Sequence, residues 1–157
     1  SIADNLSMAS LGQFLKAGFH IDLKLEKAAI LEAIRNLSIK AKNPDFDVTS
    51  MSGGNQQKVV IGKALMTGPK VLLMDEPSRG IDVGAKADVF RTMRRLAGEG
   101  LAILFSTSDL EEVMALSDRI AVMSNGRLVT VVDRKDATEE MIVSASAEGH
   151  KTKRMHA

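Results

Sequence analysis

Three short clusters carry residue types and spacings suited to chemistry. The first is Met51-Ser52-Gly53-Gly54-Asn55-Gln56-Gln57-Lys58. Two glycines at a helix start leave backbone N–H groups free and let an anion approach without Cβ clashes. The Ser52 hydroxyl suits either of two roles there, helix cap or phosphate ligand. The second cluster is Val71-Leu72-Leu73-Met74-Asp75-Glu76-Pro77. A carboxylate closing an apolar strand is placed to hold Mg²⁺, directly or through water. A second carboxylate beside it can orient and polarise an attacking water. The third, Ser78-Arg79-Gly80-Ile81-Asp82-Val83-Gly84-Ala85-Lys86, gains interest only from following Glu76. Each has a plainer reading: a capped helix behind a glycine turn, two solvated acids at a strand end, and a turn entering a capped helix.

The elements that hold these clusters change character near residue 50. Before it, Leu23, Leu25, Ala28, Ala29, Leu31, Ile34 and Leu37 recur at helical spacing among charged residues. That helix is expected to end at Asn43-Pro44, because the residue before a proline is pushed out of the helical region. Another helix is expected over roughly residues 6–17. After residue 50, apolar strands alternate with helices. A helix is predicted from Gly53 to Met66, stopped by Gly68-Pro69. Residues 71–74 read as a strand buried on both faces, because the apolar run does not alternate. A helix over 85–97, buried through Val89, Phe90, Met93 and Leu96, leads to a second buried strand at 101–105 and a short helix at 110–116. A third strand is predicted at 120–123. Asn125-Gly126 then marks a hairpin into 128–132, since both turn positions favour positive φ. A short helix near 138–143 and a polar, basic, disordered end complete the pattern. Strand, helix, strand with short connections implies a parallel sheet with right-handed crossovers, whose strands end on one ligand-binding edge. That edge brings Asp75-Glu76 near Ser106-Thr107-Ser108-Asp109.

The 157 residues include 21 Lys+Arg against 20 Asp+Glu, a formal net charge of +1, so no global charge draws the chain to nucleic acid. With no cysteine, disulfides, thiolate metal sites and a cysteine nucleophile are excluded. His20, His150 and His156 have no metal-ligand spacing. The longest uninterrupted apolar run, residues 101–105, cannot span a bilayer. The start, Ser1-Ile2-Ala3-Asp4, has no basic region before an apolar one, so the chain reads as cytosolic. It lacks an initial Met and is expected to be part of something larger. A phosphate-cradling Gly-x-x-x-x-Gly-Lys-[Ser/Thr] loop is absent from the sequence: Gly62-Lys63 is followed by Ala64, inside a predicted helix.

In order, the three clusters resemble motifs of the ATP-binding-cassette family. Ser52-Gly53-Gly54 with Asn55-Gln56-Gln57-Lys58 looks like the family signature, with Met51 and Asn55 where the commonest form has Leu and Gln. Residues 71–76 look like the Walker B strand, and 78–82 like the loop that signals between paired cassettes. Residues 118–126 resemble the strand and hairpin near the cassette's end. The extension after the glycines, together with residues 79–86, looks like the second of two fused cassettes in bacterial ribose, xylose and galactose importers. The resemblance implies an α/β fold: a partial P-loop NTPase (RecA-like) parallel-sheet core, an N-terminal α-helical subdomain and a C-terminal β-hairpin. It implies a helical subdomain at 1–50, the second half of the nucleotide-binding core at 51–143 and a disordered tail at 144–157.

The same resemblance implies ATP and Mg²⁺ as cofactors, with Asp75 serving the metal and Glu76 the hydrolytic water. Ser52, Gly53, Gly54, Asn55, Asp82 and Ser108 would contact nucleotide. Ser108 falls where the family has its switch histidine, ten residues before Asp118, and a hydroxyl lacks imidazole's proton chemistry. Expected partners are an N-terminal cassette, a transmembrane permease and, indirectly, a periplasmic sugar-binding protein, on the cytoplasmic face of the inner membrane; nucleic acid is not expected. Alone, the piece is expected to be inactive, because the Walker A loops would lie outside it. Two other functions fit the residues less well: a non-catalytic coupling module, and a cassette ATPase of DNA repair or translation.

Overall fold

The computed structural model describes the backbone of residues 1–151 and the side-chain surroundings of residues 1–147. It divides into two compact units, the first Ser1–Ser106 and the second from Thr107 onward. The boundary expected at residue 50 lies inside the first unit.

That unit opens with α1 (Ile2–Ser7), started by a capping box: the Ser1 hydroxyl accepts from the Asp4 N–H at 3.1 Å, and Asp4 accepts from the N-terminal ammonium. The helix expected over 6–17 does not form. A 3₁₀ turn, Leu11–Phe14, leads instead into a tiny antiparallel ribbon of β1 (Leu15–Lys16) and β2 (His20–Ile21). Ala17 at φ 53° and Gly18 at φ 82° take the chain out of helical space there.

Next comes α2 (Leu23–Asn36), capped by Asp22. It stops well before Pro44. Ser38 adopts φ 50°, its N–H reaches Arg35 O, and the Ile39 N–H reaches Ile34 O at 2.9 Å. This paired closure of the last carbonyls, with Leu37 and Ile39 buried, ends the helix without proline.

Then α3 (Gly53–Leu65) begins at the first cluster and stops before Gly68, whose φ is 67°. Its inner face carries Gly54, Lys58, Val59, Ile61 and Gly62. A Cβ on Gly62 would lie 2.6 Å from Leu6 and 2.9 Å from Leu37, so α3 sits tightly against α1 and the end of α2. The acidic cluster closes β3 (Val71–Asp75). After it, α4 (Val83–Gly98) buries Val89, Met93 and Leu96, and leads to β4 (Ala102–Ser106). The two strands pair in parallel, from Val71 opposite Ala102 to Asp75 opposite Ser106.

One sequence expectation fails here. Residues 71–74 are not buried on both faces: Leu72 is 6% exposed, but Val71 is 55% and Leu73 70%, with Leu104 beside them at 64%. Successive side chains of a strand point to opposite faces, so one face of this pair is covered and the other open. Among the described residues, β3 pairs with β4 alone.

The second unit contains α5 (Leu110–Leu116), β5 (Arg119–Ser124), β6 (Arg127–Asp133) and α6 (Glu139–Lys151). The third predicted strand forms. As β5, it pairs antiparallel with β6 through Asn125 (φ 49°) and Gly126 (φ 76°), the hairpin read from that dipeptide. Ile120 and Val122 point inward and pack with Ala137, Ile142 and Ala145. The helix expected at 138–143 continues to Lys151 because Ile142 and Ala145 share its buried face. The expected disordered tail is therefore helical over 144–151, and its remainder, 152–157, lies outside the described residues, as does His156. Among the described residues, no helix is long and apolar enough to cross a membrane.

Candidate functional site

The first cluster is built from the loop before α3. Asp47 turns that loop by accepting the Thr49 N–H and hydroxyl, both at 2.8 Å, and these bonds, the N–H first, hold its carboxyl below the usual carboxylate range. Gln56 folds back from the helix to donate to the Met51 carbonyl at 2.9 Å. Ser52 occupies the N-cap position, but its hydroxyl makes no cap bond. It accepts instead from the Asn55 side-chain amide at 2.9 Å, and the Asn55 carbonyl oxygen accepts the Lys40 N–H at 2.8 Å. Of its two sequence-based roles, the Ser52 hydroxyl does not take that of cap. The first turn of α3 holds no acidic residue and has no side-chain cap, which suits an anion.

The glycines have a packing reason as well. A Cβ on Gly53 would stand 3.2 Å from Ile81 Cγ2 and 3.4 Å from Gly80 O; one on Gly54 would meet the Ala85 Cβ at 2.3 Å. The first cluster and the third are therefore in contact, with the start of α3 lying on the start of α4. Asp82 caps α4, accepting the Ala85 N–H at 2.9 Å.

At the strand ends, Asp75 is exposed and accepts a hydrogen bond from the Ser106 hydroxyl, its register neighbour on β4. The Glu76 N–H donates to Ser106 O at 2.8 Å, and the Glu76 carbonyl accepts from the Arg79 N–H at 3.1 Å. Glu76 has φ 46°, a left-handed conformation that costs a non-glycine residue about 1–2 kcal/mol. Such strain persists where the surroundings dictate it, and here the tight turn into buried Pro77 and Ser78 does so. Two adjacent carboxylates suit Mg²⁺, which takes one or two protein carboxylates and completes its shell with phosphate and water. Among the described residues, no group of three or more His, Asp or Glu forms an all-protein metal cage. The donor set thus fits Mg²⁺ accompanied by a phosphate ligand. Ser108 is exposed in the second unit, just before Asp109, which caps α5 by accepting from the Glu111 and Glu112 N–H groups.

Sequence reasoning did not single out the polar side chains that support this arrangement. Lys58 is buried, its ammonium 3.6 Å from an Asp88 oxygen and 3.3 Å from Ser38 O. The charge of Lys58, and secondarily of Arg91, holds the Asp88 carboxyl below its usual range. A signal was available: Lys58 lies four residues after Gly54, on the same helix face as Ile61 and Gly62, and a lysine on an inner face needs a partner. For Ser106 the signal was the topology that puts both strand ends on one edge; strand register then sets it directly opposite Asp75.

The fold that carries this glycine-opened helix and acidic strand end is that of ATP-binding cassettes. The solved ATP-binding cassette MJ1267 of an ABC transporter matches with a TM-score of 0.74 and 25% identity, over 92% of this chain and 62% of that one. The dimeric cassette MJ0796, from a bacterial ABC transporter, matches with a TM-score of 0.72 and 19% identity, over 85% of this chain and 56% of that one. A sequence profile described as "ABC transporter" matches residues 2–79. The ribose import ATP-binding protein RbsA 1 of Streptomyces coelicolor is 46% identical over 146 residues, which is 93% of this chain and 29% of that protein. The ribose import ATP-binding protein RbsA of Streptococcus agalactiae is 42% identical over 149 residues, 95% of this chain and 30% of that protein. The chain belongs to the ATP-binding-cassette transporter family. It spans about 30% of the length of these curated relatives.

Proposed function

We propose that this chain is part of the ATP-hydrolysing, energy-coupling subunit of a sugar importer, with ribose the favoured solute. The names of relatives 40–46% identical, ribose import or ribose/galactose/methyl galactoside import ATP-binding proteins, support the solute class. The observation that carries the reading is the contact of Gly53 and Gly54 with Gly80, Ile81 and Ala85, which makes the signature and the 78–82 loop one surface. In this reading the N–H groups of Ser52, Gly53 and Gly54, the Ser52 hydroxyl and the Asn55 side chain face the phosphates of an ATP held by another cassette. Asp75 holds Mg²⁺ for a second ATP, with Ser106 orienting the carboxylate. Glu76 accepts the proton of the attacking water, and its left-handed backbone fixes the carboxylate's direction. Asp82 keeps the intervening loop in place by capping α4. Bound Mg²⁺ would supply charge neutralisation of the phosphates. The partners are then a second cassette, a transmembrane permease and, indirectly, a periplasmic sugar-binding protein, with the subunit peripheral on the cytoplasmic face of the inner membrane.

Phosphoryl transfer depends on positioning from both sides of the nucleotide, so the 157-residue chain alone should turn over no ATP. In the longer protein that carries it, Glu76→Gln should abolish hydrolysis while ATP binding persists. Turnover by the isolated chain that disappears with Glu76→Gln would overturn the proposal. Ser108 favours a second reading, a coupling module whose Glu76 site is silent. Wild-type transport by the longer protein carrying Glu76→Gln would select it.

A further inference from the structure

We infer that Lys58 is a positioning residue that locks α2, α3 and α4 into one rigid body, so that the glycine pair and the 78–82 loop move together. Its side chain is 7% exposed, and its stem lies along the inner face of α3 one turn beyond Gly54. The ammonium meets two partners from different helices. Asp88 Oδ2, on α4, stands at 3.6 Å; Ser38 O, in the left-handed closure of α2, accepts from it at 3.3 Å. A cation beside the carbonyls that end a helix also meets the negative end of its dipole. One turn earlier on each helix, Gly54 and Ala85 touch so closely that a methyl cannot be inserted. Helices α3 and α4 are thus fixed at two levels, by steric contact at their N-termini and by an ion pair one turn further in. A single contact permits pivoting; two at different heights prevent it. The Asn55–Lys40 bond gives α3 a further tie to the segment after α2. The significance for coupling rests on the proposed function, because it is there that the two loops face a nucleotide. The rigidity itself does not depend on it.

The absence of cysteine from the chain makes the test clean. Spin labels at Val60→Cys, on the exposed side of α3, and Val83→Cys, at the start of α4, report the distance between the two helices by pulsed electron paramagnetic resonance. With Lys58 intact, the distribution should be a single narrow peak. Lys58→Met, which keeps the stem and removes the charge, should broaden or split it at temperatures far below unfolding, and Lys58→Arg should restore it. A role in stability alone would lower Tm and leave the distribution unchanged, and that result overturns the inference. If Lys58→Met does not fold, Asp88→Asn carries the comparison with the same two outcomes. No nucleotide enters the measurement, so its failure is separate from a failure of the ATPase reading.

Discussion

Gly54→Ala is a sharp perturbation because the added methyl has a known destination. Its Cβ would stand 2.3 Å from the Ala85 Cβ, about 1 Å inside ordinary carbon contact, with the Ala85 Cα at 3.4 Å behind it. Neither atom is the end of a flexible side chain, so the strain must be relieved by sliding α3 away from α4. Overpacking of this kind costs about 1–3 kcal/mol, against a gain of at most about 0.5–1 kcal/mol for replacing glycine in a helix. The net loss should be about 1–2 kcal/mol, which lowers Tm by about 2–8 °C for a chain of this size. Gly98→Ala is the internal control. It lies in the last turn of α4, a Cβ there meets nothing within 4 Å, and the same propensity gain should raise Tm. Thermal unfolding followed by far-ultraviolet circular dichroism would read both signs in one experiment. Adding Ala85→Gly to Gly54→Ala removes the opposing methyl and should recover part of the loss, giving a coupling of about 1 kcal/mol in a double-mutant cycle. A neutral or stabilising Gly54→Ala, matching Gly98→Ala, would refute the packing argument and leave the glycine to ligand approach alone.

Other outcomes follow from single features. Asp88 has its carboxyl lowered by Lys58 first and Arg91 second, from an ordinary value of 3.8. The folded state therefore prefers the charged form; the pair's contribution is present above pH 3.8 and is lost as pH falls through the depressed value, so Asp88→Asn should flatten the acid limb of a stability–pH curve. Glu76→Gly should be more stable than Glu76→Ala by about 1 kcal/mol, measured by urea denaturation, because only glycine is relaxed at φ 46°. Gly126→Val should destabilise the second unit by about 1–2 kcal/mol, since φ 76° in the hairpin turn is closed to a β-branched residue; loss of amide-exchange protection over β5 and β6 would register it.

Local chemistry in the sequence was enough for several elements. The starts and stops of α3 and α4 follow from glycine, proline and an Asp cap, and the β5–β6 hairpin from Asn125-Gly126. The order of the three clusters indicated the family. The sequence was misleading wherever a segment's neighbours decide its state. An unbroken apolar run reads as doubly buried, yet Val71 and Leu73 are exposed, because among the described residues only one face of the strand pair is covered. Pro44 reads as the stop of α2, but Ser38 closes that helix six residues earlier through backbone bonds that any residue able to reach positive φ can make.

The sequence by itself singled out residue types suited to phosphate, metal and water, because such suitability resides in side-chain chemistry and in glycine's missing Cβ. Only the tertiary structure decided how the clusters combine: that Gly54 presses on Ala85, that Ser106 faces Asp75, and that Lys58 finds Asp88 and Ser38. Each of those pairs is 20 to 31 residues apart, and such pairings are fixed by helix packing and sheet register, which no local pattern encodes.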